Sequence, residues 1–325
     1  MLNAIRQNLT AKDINVGISA CLLGDNVRYN GGHTQSKFCV DTLSKYFTFR
    51  RYCPEVESGF GIPRPTLRLE GDINNPRMAY TKQPGSDVSP QFYKTIEPFI
   101  KKQGDLCAYI LMRKSPSCGM ERIKVYQENG HSHVELQRGL FADALIKKYP
   151  NLPVEEDGRL NDKHLRENFI LRVYAYYLFN KTVSVDEGMK SLVEFHSYYK
   201  YILMAHNQMA YKKLGQLVSG AKKIDFGELK EIYIGIFMQA LKKPATRRNH
   251  TNVLQHIFGY IKTSLNSEAK RDIVNVIEKY RTSEVNLITP LTIIKHYLKL
   301  HGSSYINMQL YLDPYPSELG LQNGI

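Results

Sequence analysis

The sequence predicts two domains of different class, an α/β domain over residues 1–155 and an all-helical domain over residues 156–325. Two observations support this division. Strand-like and helix-like segments alternate through residue 150, which is typical of a mostly parallel sheet covered by helices. Beyond residue 156 almost every segment spaces its apolar residues as a helix does. A chain of 325 residues is long enough for two domains with separate cores.

The first half contains three strand-like and three helix-like segments. The predicted strands are INVGISACLLG at 14–24, FTFRRYC at 47–53 and LCAYILMRKS at 106–115. The predicted helices are TQSKFCVDTLSKYF at 34–47, SPQFYKTIEPFIKKQG at 89–104 and GLFADALIKKYP at 139–150. Gly104 and Pro150 are expected to end the last two.

The stretch YPNLPVEEDGRLND at 149–162 is rich in proline and acidic residues, which suits a domain junction. Beyond it six helices are predicted, at 162–179, 184–220, 226–243, 249–265, 267–283 and 291–302. In the second of these, helical spacing predicts one continuous apolar stripe formed by Phe195, Tyr199, Ile202, Met209 and Leu217.

Composition and charge narrow the class of protein and its partners. A hydrophobic content of 42% and a charged content of 23% are those of a soluble globular protein. Neither a run of ~18 apolar residues, as a membrane span needs, nor a signal-peptide-like N-terminus is found, so we expect a cytoplasmic location and no membrane partner. The net charge is +13, and residues 200–299 hold 17 Lys and Arg against 7 Asp and Glu. Such a surplus favours a polyanionic partner such as RNA, the alternative being a solvated basic surface.

The stretch LKKPATRRNH is the most concentrated basic segment. It places Lys242, Lys243, Arg247 and Arg248 just before a predicted helix start, where basic side chains and free backbone N–H groups could bind phosphate. The 22 Tyr and 13 Phe lie mostly on apolar stripes, and the sequence assigns none of them to base stacking.

Five scattered cysteines argue against a disulfide framework, and none forms a C-x-x-C pair. Cys21 lies late in the first predicted strand, Cys53 ends the second, and Cys118 follows the third. Because the carboxyl ends of parallel strands meet at one edge of a sheet, these three thiols could converge. Cys39 and Cys107 are expected to be small buried hydrophobic residues.

Spacing alone leaves three hypotheses open for the converging thiols. Three thiolates are too few for a tetrahedral zinc site, but they could hold an iron–sulfur cubane with one iron open. They could instead be reactive without a metal, or inert and buried. Polar neighbours accompany them, since Glu55 follows Cys53 by two residues and Ser115 and Ser117 precede Cys118.

Three motifs in this half, SACLLGDNVRYNGG, CPEVESGFGIPRP and KSPSCG, resemble those of the thiouracil desulfidase family over about residues 14–150. The resemblance implies a Rossmann-like domain with a [4Fe-4S] cluster held by Cys21, Cys53 and Cys118, and catalytic roles for Glu55 and for Ser115 or Ser117. One departure is that Val27 stands where many relatives have a further cysteine.

The second half resembles the helical domain often fused behind such desulfidase domains, through LRENFILRV, NHTNVLQH and YLDPYPSELGL. This arrangement is similar to that of bacterial enzymes that remove sulfur from 4-thiouridine in tRNA. It implies hydrolytic desulfuration without net redox change, with Glu55 as general base and a serine steering water. The alternatives for these residues are an ion pair of Glu55 with Arg64 or Arg68, and serines that only shape a turn.

Three other functions remain open. One is a desulfidase of free thiouracil, whose helical domain recruits a protein. Another is a cluster-bearing regulator that binds nucleic acid and does not need Glu55. The last is a thiolase that inserts sulfur, which the lack of a P-loop motif disfavours because such enzymes generally need an activating nucleotide.

Overall fold

The computed structural model describes residues 13–183, 188–220 and 224–321, and the chain divides into two compact units between Asn161 and Asp162. The boundary expected at residue 155 falls inside the last strand of the first unit, Val154–Glu156. The polar N-terminal segment and residues 184–187 of the second predicted helix lie outside the described residues.

The strands described in the first unit form two sheets. They are β1 Asn15–Ser19, β2 Thr48–Tyr52, β3 Leu67–Asp72, β4 Asn75–Tyr80, β5 Gln83–Asp87, β6 Ala108–Leu111, β7 Ile123–Tyr126, β8 Ser132–Gln137 and β9 Val154–Glu156. The first sheet has the order β2-β1-β6-β9, and all its neighbours are parallel. This parallel sheet confirms the predicted fold class.

The two central strands of this sheet are β1 and β6, which are almost wholly buried, as expected for apolar strands covered on both faces. Gly17 of β1 lies so close to Tyr109 of β6 that an added Cβ would stand 2.3 Å from the tyrosine ring. A side chain at residue 17 would therefore displace this ring from the core.

The α-helices described in the first unit are α1 Pro54–Glu57, α2 Ser89–Lys101 and α3 Leu140–Lys148. The helix predicted at 34–47 is replaced by a π-helical turn, Phe38–Thr42, and a short 3-10 turn, Leu43–Lys45. β-Branched Val40 and Thr42 lie in this segment, and their restricted side chains weaken a regular helix.

The second sheet, in the order β5-β4-β3-β7-β8, was not predicted from the sequence. Its pairs are antiparallel except β3 with β7. Its strands are short and polar, with sequences such as LRLEGD, NPRMAY and QPGSD, so they lack the apolar alternation by which strands are recognised.

The second unit is helical, as predicted. Its described helices are α4 Lys163–Thr182, α5 Gly188–His206, α6 Gln208–Ser219, α7 Phe226–Ala240, α8 Arg247–Phe258, α9 Ser267–Arg281, α10 Ile288–His301 and α11 Ser304–Asn307. Its core contains an aromatic cluster formed by Phe179, Phe195, Tyr199, Tyr233 and Phe237. Within the described ranges, no helix combines the length and apolar character that crossing a membrane requires.

The prediction of a single long helix across 184–220 is wrong, because the helix is interrupted at Asn207. This residue has extended backbone angles (φ −155°, ψ 103°), and its side chain accepts a hydrogen bond from the amide of Ala210, which caps α6. Phe195, before the break, is buried as predicted. Met209, beyond it, is 81% exposed and lies outside the apolar stripe.

Candidate active site

A cavity of about 530 Å³ lies in the first unit, at the carboxyl ends of β1, β2 and β6. Cys21 reaches it from the 3-10 turn that follows β1, Cys53 from the residue before α1, and Cys118 from the loop after β6. Cys39 and Cys107 are buried and do not line this cavity. The parallel topology therefore places the three thiols around one space, whose volume is that of a small-ligand site.

Burial disfavours the thiolate form of all three cysteines. Burial, with a smaller contribution from neighbouring Cys53, raises the pKa of Cys21 to about 12. Burial also raises the pKa of Cys118 and that of Cys53 above their ordinary values. A reactive thiol needs a lowered pKa, so the hypothesis of metal-free reactive thiols is disfavoured.

Three cysteine sulfurs line the cavity, and cysteine sulfur is the usual protein ligand of iron–sulfur clusters. Among the described residues, no group of three or more His, Cys, Asp or Glu side chains is placed to hold one metal ion. A cubane cluster does not need sulfurs that converge on one point, because each thiolate binds a different iron. Three soft donors that line one cavity are compatible with that requirement.

Glu55, in the first turn of α1, lies at the centre of a hydrogen-bond network beside the cavity. Its Oε2 accepts from Arg64 Nε at 2.9 Å and from Arg64 Nη2 at 2.6 Å. Its Oε1 accepts from Ser117 Oγ at 2.5 Å and from Ser115 Oγ at 3.3 Å. The ion pair with Arg64, one of the alternatives to a general-base role, is therefore present, and the same carboxylate also faces both serines.

Arg64 is a site residue that the sequence identified only as a possible ion-pair partner. Its side chain is 3% exposed, and its Nη1 donates to the carbonyls of Val27 and Gly61 at 2.9 and 3.1 Å. The carbonyl of Val27 also accepts from Cys53 Sγ at 3.8 Å. Arg64 thus fixes the Glu55 carboxylate to two loops of the site.

The two serines are placed by a tight turn after β6. Ser115 Oγ accepts from the amides of Ser117 and Cys118 at 3.2 and 3.1 Å, so this residue also has the turn-forming role that we considered. The two hydroxyl oxygens are 2.8 Å apart, and Ser117 Oγ lies 3.7 Å from Cys118 Sγ. Ser117 is the more buried of the pair and has the shorter contact with Glu55.

The serine turn is anchored by the start of α3. The amides of Leu140 and Phe141 donate to the carbonyls of Pro116 and Ser117. Gly139 allows this approach, because a Cβ there would lie 2.5 Å from the Ser117 carbonyl. The helix N-terminus thereby uses its free N–H groups to hold the loop that carries Cys118.

Basic and aromatic side chains surround the cavity mouth. Arg28, Arg113 and Lys114 line it, and Tyr29, which is 43% exposed, lies beside them. Lys114 is exposed and adopts a positive φ of 57°. No pattern in the sequence separates Arg28 and Arg113 from other surface arginines.

The predicted phosphate site in the second unit is only partly available to a ligand. Arg247 is the first residue of α8, and its guanidinium donates to the carbonyls of Tyr280 and Val285 at 2.5 and 3.2 Å. It also lies 4.3 Å from the Tyr280 ring centre. Lys242, Lys243 and Arg248 are exposed on the same segment.

Comparison with known proteins finds a matching family model for each part of the chain. Residues 16–157 match the family model described as 2-thiouracil desulfurase, and residues 200–316 match one described as a protein of unknown function, DUF1722. The first match covers the cavity and all the side chains around it.

Particular relatives cover one half of the chain each. The uncharacterized protein YbgA of Escherichia coli is 28% identical over 165 residues, which are 50% of this chain and 98% of YbgA. The uncharacterized protein YbbK of Bacillus subtilis is 28% identical over 151 residues, 45% of this chain and 97% of YbbK. A solved structure, the [4Fe-4S]-dependent thiouracil desulfidase TudS, aligns with 27% identity and a TM-score of 0.36 over 46% of this chain and 93% of TudS.

Proposed function

We propose that this protein removes sulfur from a thiolated pyrimidine by hydrolysis, with 4-thiouridine in tRNA as its substrate and a [4Fe-4S] cluster held by Cys21, Cys53 and Cys118. The observation that carries the proposal is the shared cavity, which brings together three thiols and the Glu55–serine network from distant parts of the sequence. The match of the same residues to the 2-thiouracil desulfurase model supports the reaction class.

The reaction exchanges one sulfur for one oxygen. Water and the thiocarbonyl carbon give a carbonyl and hydrogen sulfide, so no electrons are gained or lost. When bound, a cluster with three protein thiolates supplies an open, soft Lewis-acidic iron that suits a thiocarbonyl sulfur.

The residues of the chain supply the proton transfer. Glu55 accepts a proton from the attacking water, either directly or through the Ser117 hydroxyl that already donates to its Oε1. Arg64 donates two hydrogen bonds to Glu55 Oε2, so only Oε1 faces the serines. Ser115 Oγ also donates to Glu55 Oε1. It accepts from the amide of Cys118 and so holds the turn that carries Ser117 and Cys118.

A nucleic-acid substrate is supported by charge. Arg28, Arg113 and Lys114 at the cavity mouth suit a phosphate flanking the reacting base. The second unit contributes most of the net charge, and exposed Lys242, Lys243 and Arg248 are further candidates for the tRNA backbone. A thiouridine in folded RNA would have to leave its stack to enter the cavity.

A second candidate is desulfuration of free thiouracil without RNA, and the description of the matching family model favours it. The regulator hypothesis has less support, because the ordered contacts of Glu55 with Arg64 and two serines are not needed for sensing.

The cofactor is tested by iron and labile-sulfide content after purification without oxygen. Cys21→Ser, Cys53→Ser and Cys118→Ser are each expected to lose most of the iron and the visible absorbance. Cys39→Ser is the matched control, because it changes a buried thiol outside the cavity and should leave the iron content unchanged. Equal iron content in all four variants would contradict the ligand assignment.

The reaction is tested by comparing three substrates on the iron-loaded protein: thiolated tRNA, the 4-thiouridine nucleoside and 2-thiouracil. Release of sulfide and loss of the thiocarbonyl absorbance should be greatest per unit of enzyme for tRNA. Glu55→Gln should lower turnover about 10²- to 10⁴-fold with unchanged iron content. Turnover of 2-thiouracil alone would establish the second candidate, and full activity of Glu55→Gln would exclude the general base.

A further inference from the structure

A second group of aromatic and basic residues lies in the helical unit. It consists of Lys200 and Tyr201 in α5, Tyr211 in α6, Tyr260 just after α8, and Tyr305 in α11. We call these five residues the lysine–tyrosine cluster. The rings of Tyr260 and Tyr305 have centres 6.0 Å apart and are tilted by 35°.

Lys200 lies among these rings. Its Nζ is 5.5 Å from the ring centre of Tyr201 and 5.8 Å from that of Tyr305. Burial acts to lower its pKa, but the surrounding tyrosines, Tyr305 and Tyr211 first, raise the pKa overall, so Lys200 is a cation at neutral pH. An ammonium has three donors, and the Tyr305 hydroxyl engages one of them, which leaves donors for a ligand.

Tyr260 is unusual among the tyrosines of its unit. It is 43% exposed, whereas every other tyrosine between residues 162 and 321 is buried or half-buried. Its hydroxyl forms a hydrogen bond with that of buried Tyr201, which connects the exposed side chain to the rest of the cluster. Tyr260 therefore presents exposed aromatic surface beside the ring of Tyr305.

The charge around the cluster indicates which partner would fit. Exposed Lys212 and Lys213 follow Tyr211, and exposed Lys262 lies two residues after Tyr260. In the part of the chain that the structure describes, none of these three lysines forms a salt bridge. Aromatic rings interleaved with unpaired basic side chains form the surface that binds unstacked nucleotides, through base stacking and phosphate contacts.

We propose that the lysine–tyrosine cluster binds an unpaired nucleotide of RNA, with a base stacked on Tyr260 and a phosphate oxygen bound by Lys200. This inference rests on the proposed RNA substrate and places part of its binding site on the helical unit. The sequence could not assign the role, because Tyr260 follows an apolar helical pattern like the buried tyrosines.

The test is binding of a fluorescent tRNA transcript without thiolation to the iron-loaded full chain at several salt concentrations. Tyr260→Ala should weaken binding about tenfold or more, because a base–aromatic stack contributes about 1–3 kcal/mol. Tyr260→Phe keeps the ring and should change affinity less than twofold. Lys200→Gln should weaken binding. It should also reduce the slope of log affinity against log salt concentration by about the amount that one phosphate contact contributes.

Tyr297→Ala is the matched control, because Tyr297 is a half-buried tyrosine of the same unit outside the cluster. The Tyr297→Ala protein should bind RNA with the affinity of the wild type. Turnover of the free 4-thiouridine nucleoside should be the same in every variant, which shows that the first unit is intact. Wild-type affinity in both Tyr260→Ala and Lys200→Gln would overturn the inference. An equal loss in Tyr260→Phe and Tyr260→Ala would also overturn it, since the hydroxyl contact with Tyr201 would then be the cause.

Failure of the inference and failure of the proposed function give different results. If the variants bind and desulfurate tRNA as the wild type does, only the nucleotide site is wrong. If the wild type binds no RNA but turns over the free nucleoside, the site and the RNA substrate are both wrong and the desulfidase activity stands.

Discussion

Replacing Arg64 by methionine should destabilise the first unit strongly, because it leaves the Glu55 carboxylate buried without its cation. The side chains of Arg64 and Glu55 are 3% and 12% exposed, and they share two hydrogen bonds of 2.6 and 2.9 Å. Removing one partner of such a buried pair costs about 3–5 kcal/mol. That loss is a large fraction of the roughly 5–15 kcal/mol by which typical proteins are stable.

The double variant Arg64→Met with Glu55→Gln distinguishes the loss of the ion pair from the loss of the other contacts of Arg64. An amide at residue 55 removes the unpaired charge, so the double variant should be more stable than Arg64→Met alone, by about 2 kcal/mol. Part of the loss should remain, because the carbonyls of Val27 and Gly61 no longer receive the guanidinium.

The measurement is the free energy of unfolding in urea, followed by circular dichroism. The matched control is Arg50→Met, which removes an arginine–aspartate pair with Asp105 in the same unit whose side chains are 37% and 52% exposed. An exposed pair contributes about 0–1 kcal/mol, and Arg50 also donates to Gln103 Oε1 at 2.9 Å, so this control should lose some stability but clearly less than Arg64→Met does. If Arg64→Met cost no more than Arg50→Met, the description of a buried, structurally required ion pair would be refuted.

Two other predictions concern the helical unit. Burial raises the pKa of partly buried Glu167 to about 7, although a hydrogen bond from the Tyr315 hydroxyl acts in the opposite direction. Between its ordinary pKa and about pH 7 the folded state keeps a proton that the unfolded chain loses, so stability falls as pH rises through this window, by about 3 kcal/mol. Glu167→Gln should therefore be more stable than the wild type at pH 8 and equal to it at pH 4 in thermal unfolding, and an equal difference at both values would contradict this. Arg247→Ala should lower the free energy of unfolding by about 1–3 kcal/mol, because its guanidinium bonds to two carbonyls, whereas Arg248→Ala should lower only the affinity for RNA. Comparing the two variants by unfolding and by filter binding checks this, and equal stability of both would show that the internal contacts of Arg247 contribute little.

The features of the fold that the sequence predicted are those that depend on apolar patterning. Runs such as NVGIS and AYIL are buried on both faces and are recognisable without knowledge of their neighbours. The second sheet has no such signal, because its strands gain their stability from pairing with each other. The interruption at Asn207 could not be predicted for a related reason. The hydrogen bond that the Asn207 side chain accepts from the Ala210 amide forms only where one helix has ended and the next begins.

The site could be predicted to the extent that topology determines it. Parallel strands bring their carboxyl ends together, so the approach of Cys21, Cys53 and Cys118 followed from their places on the chain. The partner of Glu55 could be narrowed to Arg64 or Arg68 but not chosen, because the choice depends on loop geometry. Lys200 and Tyr260 are 60 residues apart, and no local pattern connects them.

The short strand β9 determines where the first unit can be cut for study in isolation. Its residues Val154–Glu156 pair with β6, and Glu156 Oε1 accepts from the amide of Met120, two residues after Cys118. A fragment that stopped at residue 150 would lose the outer strand and release the end of the cysteine loop. An autonomous fragment should therefore extend to Asn161, and shorter ones are expected to misplace the third thiol even where they remain folded.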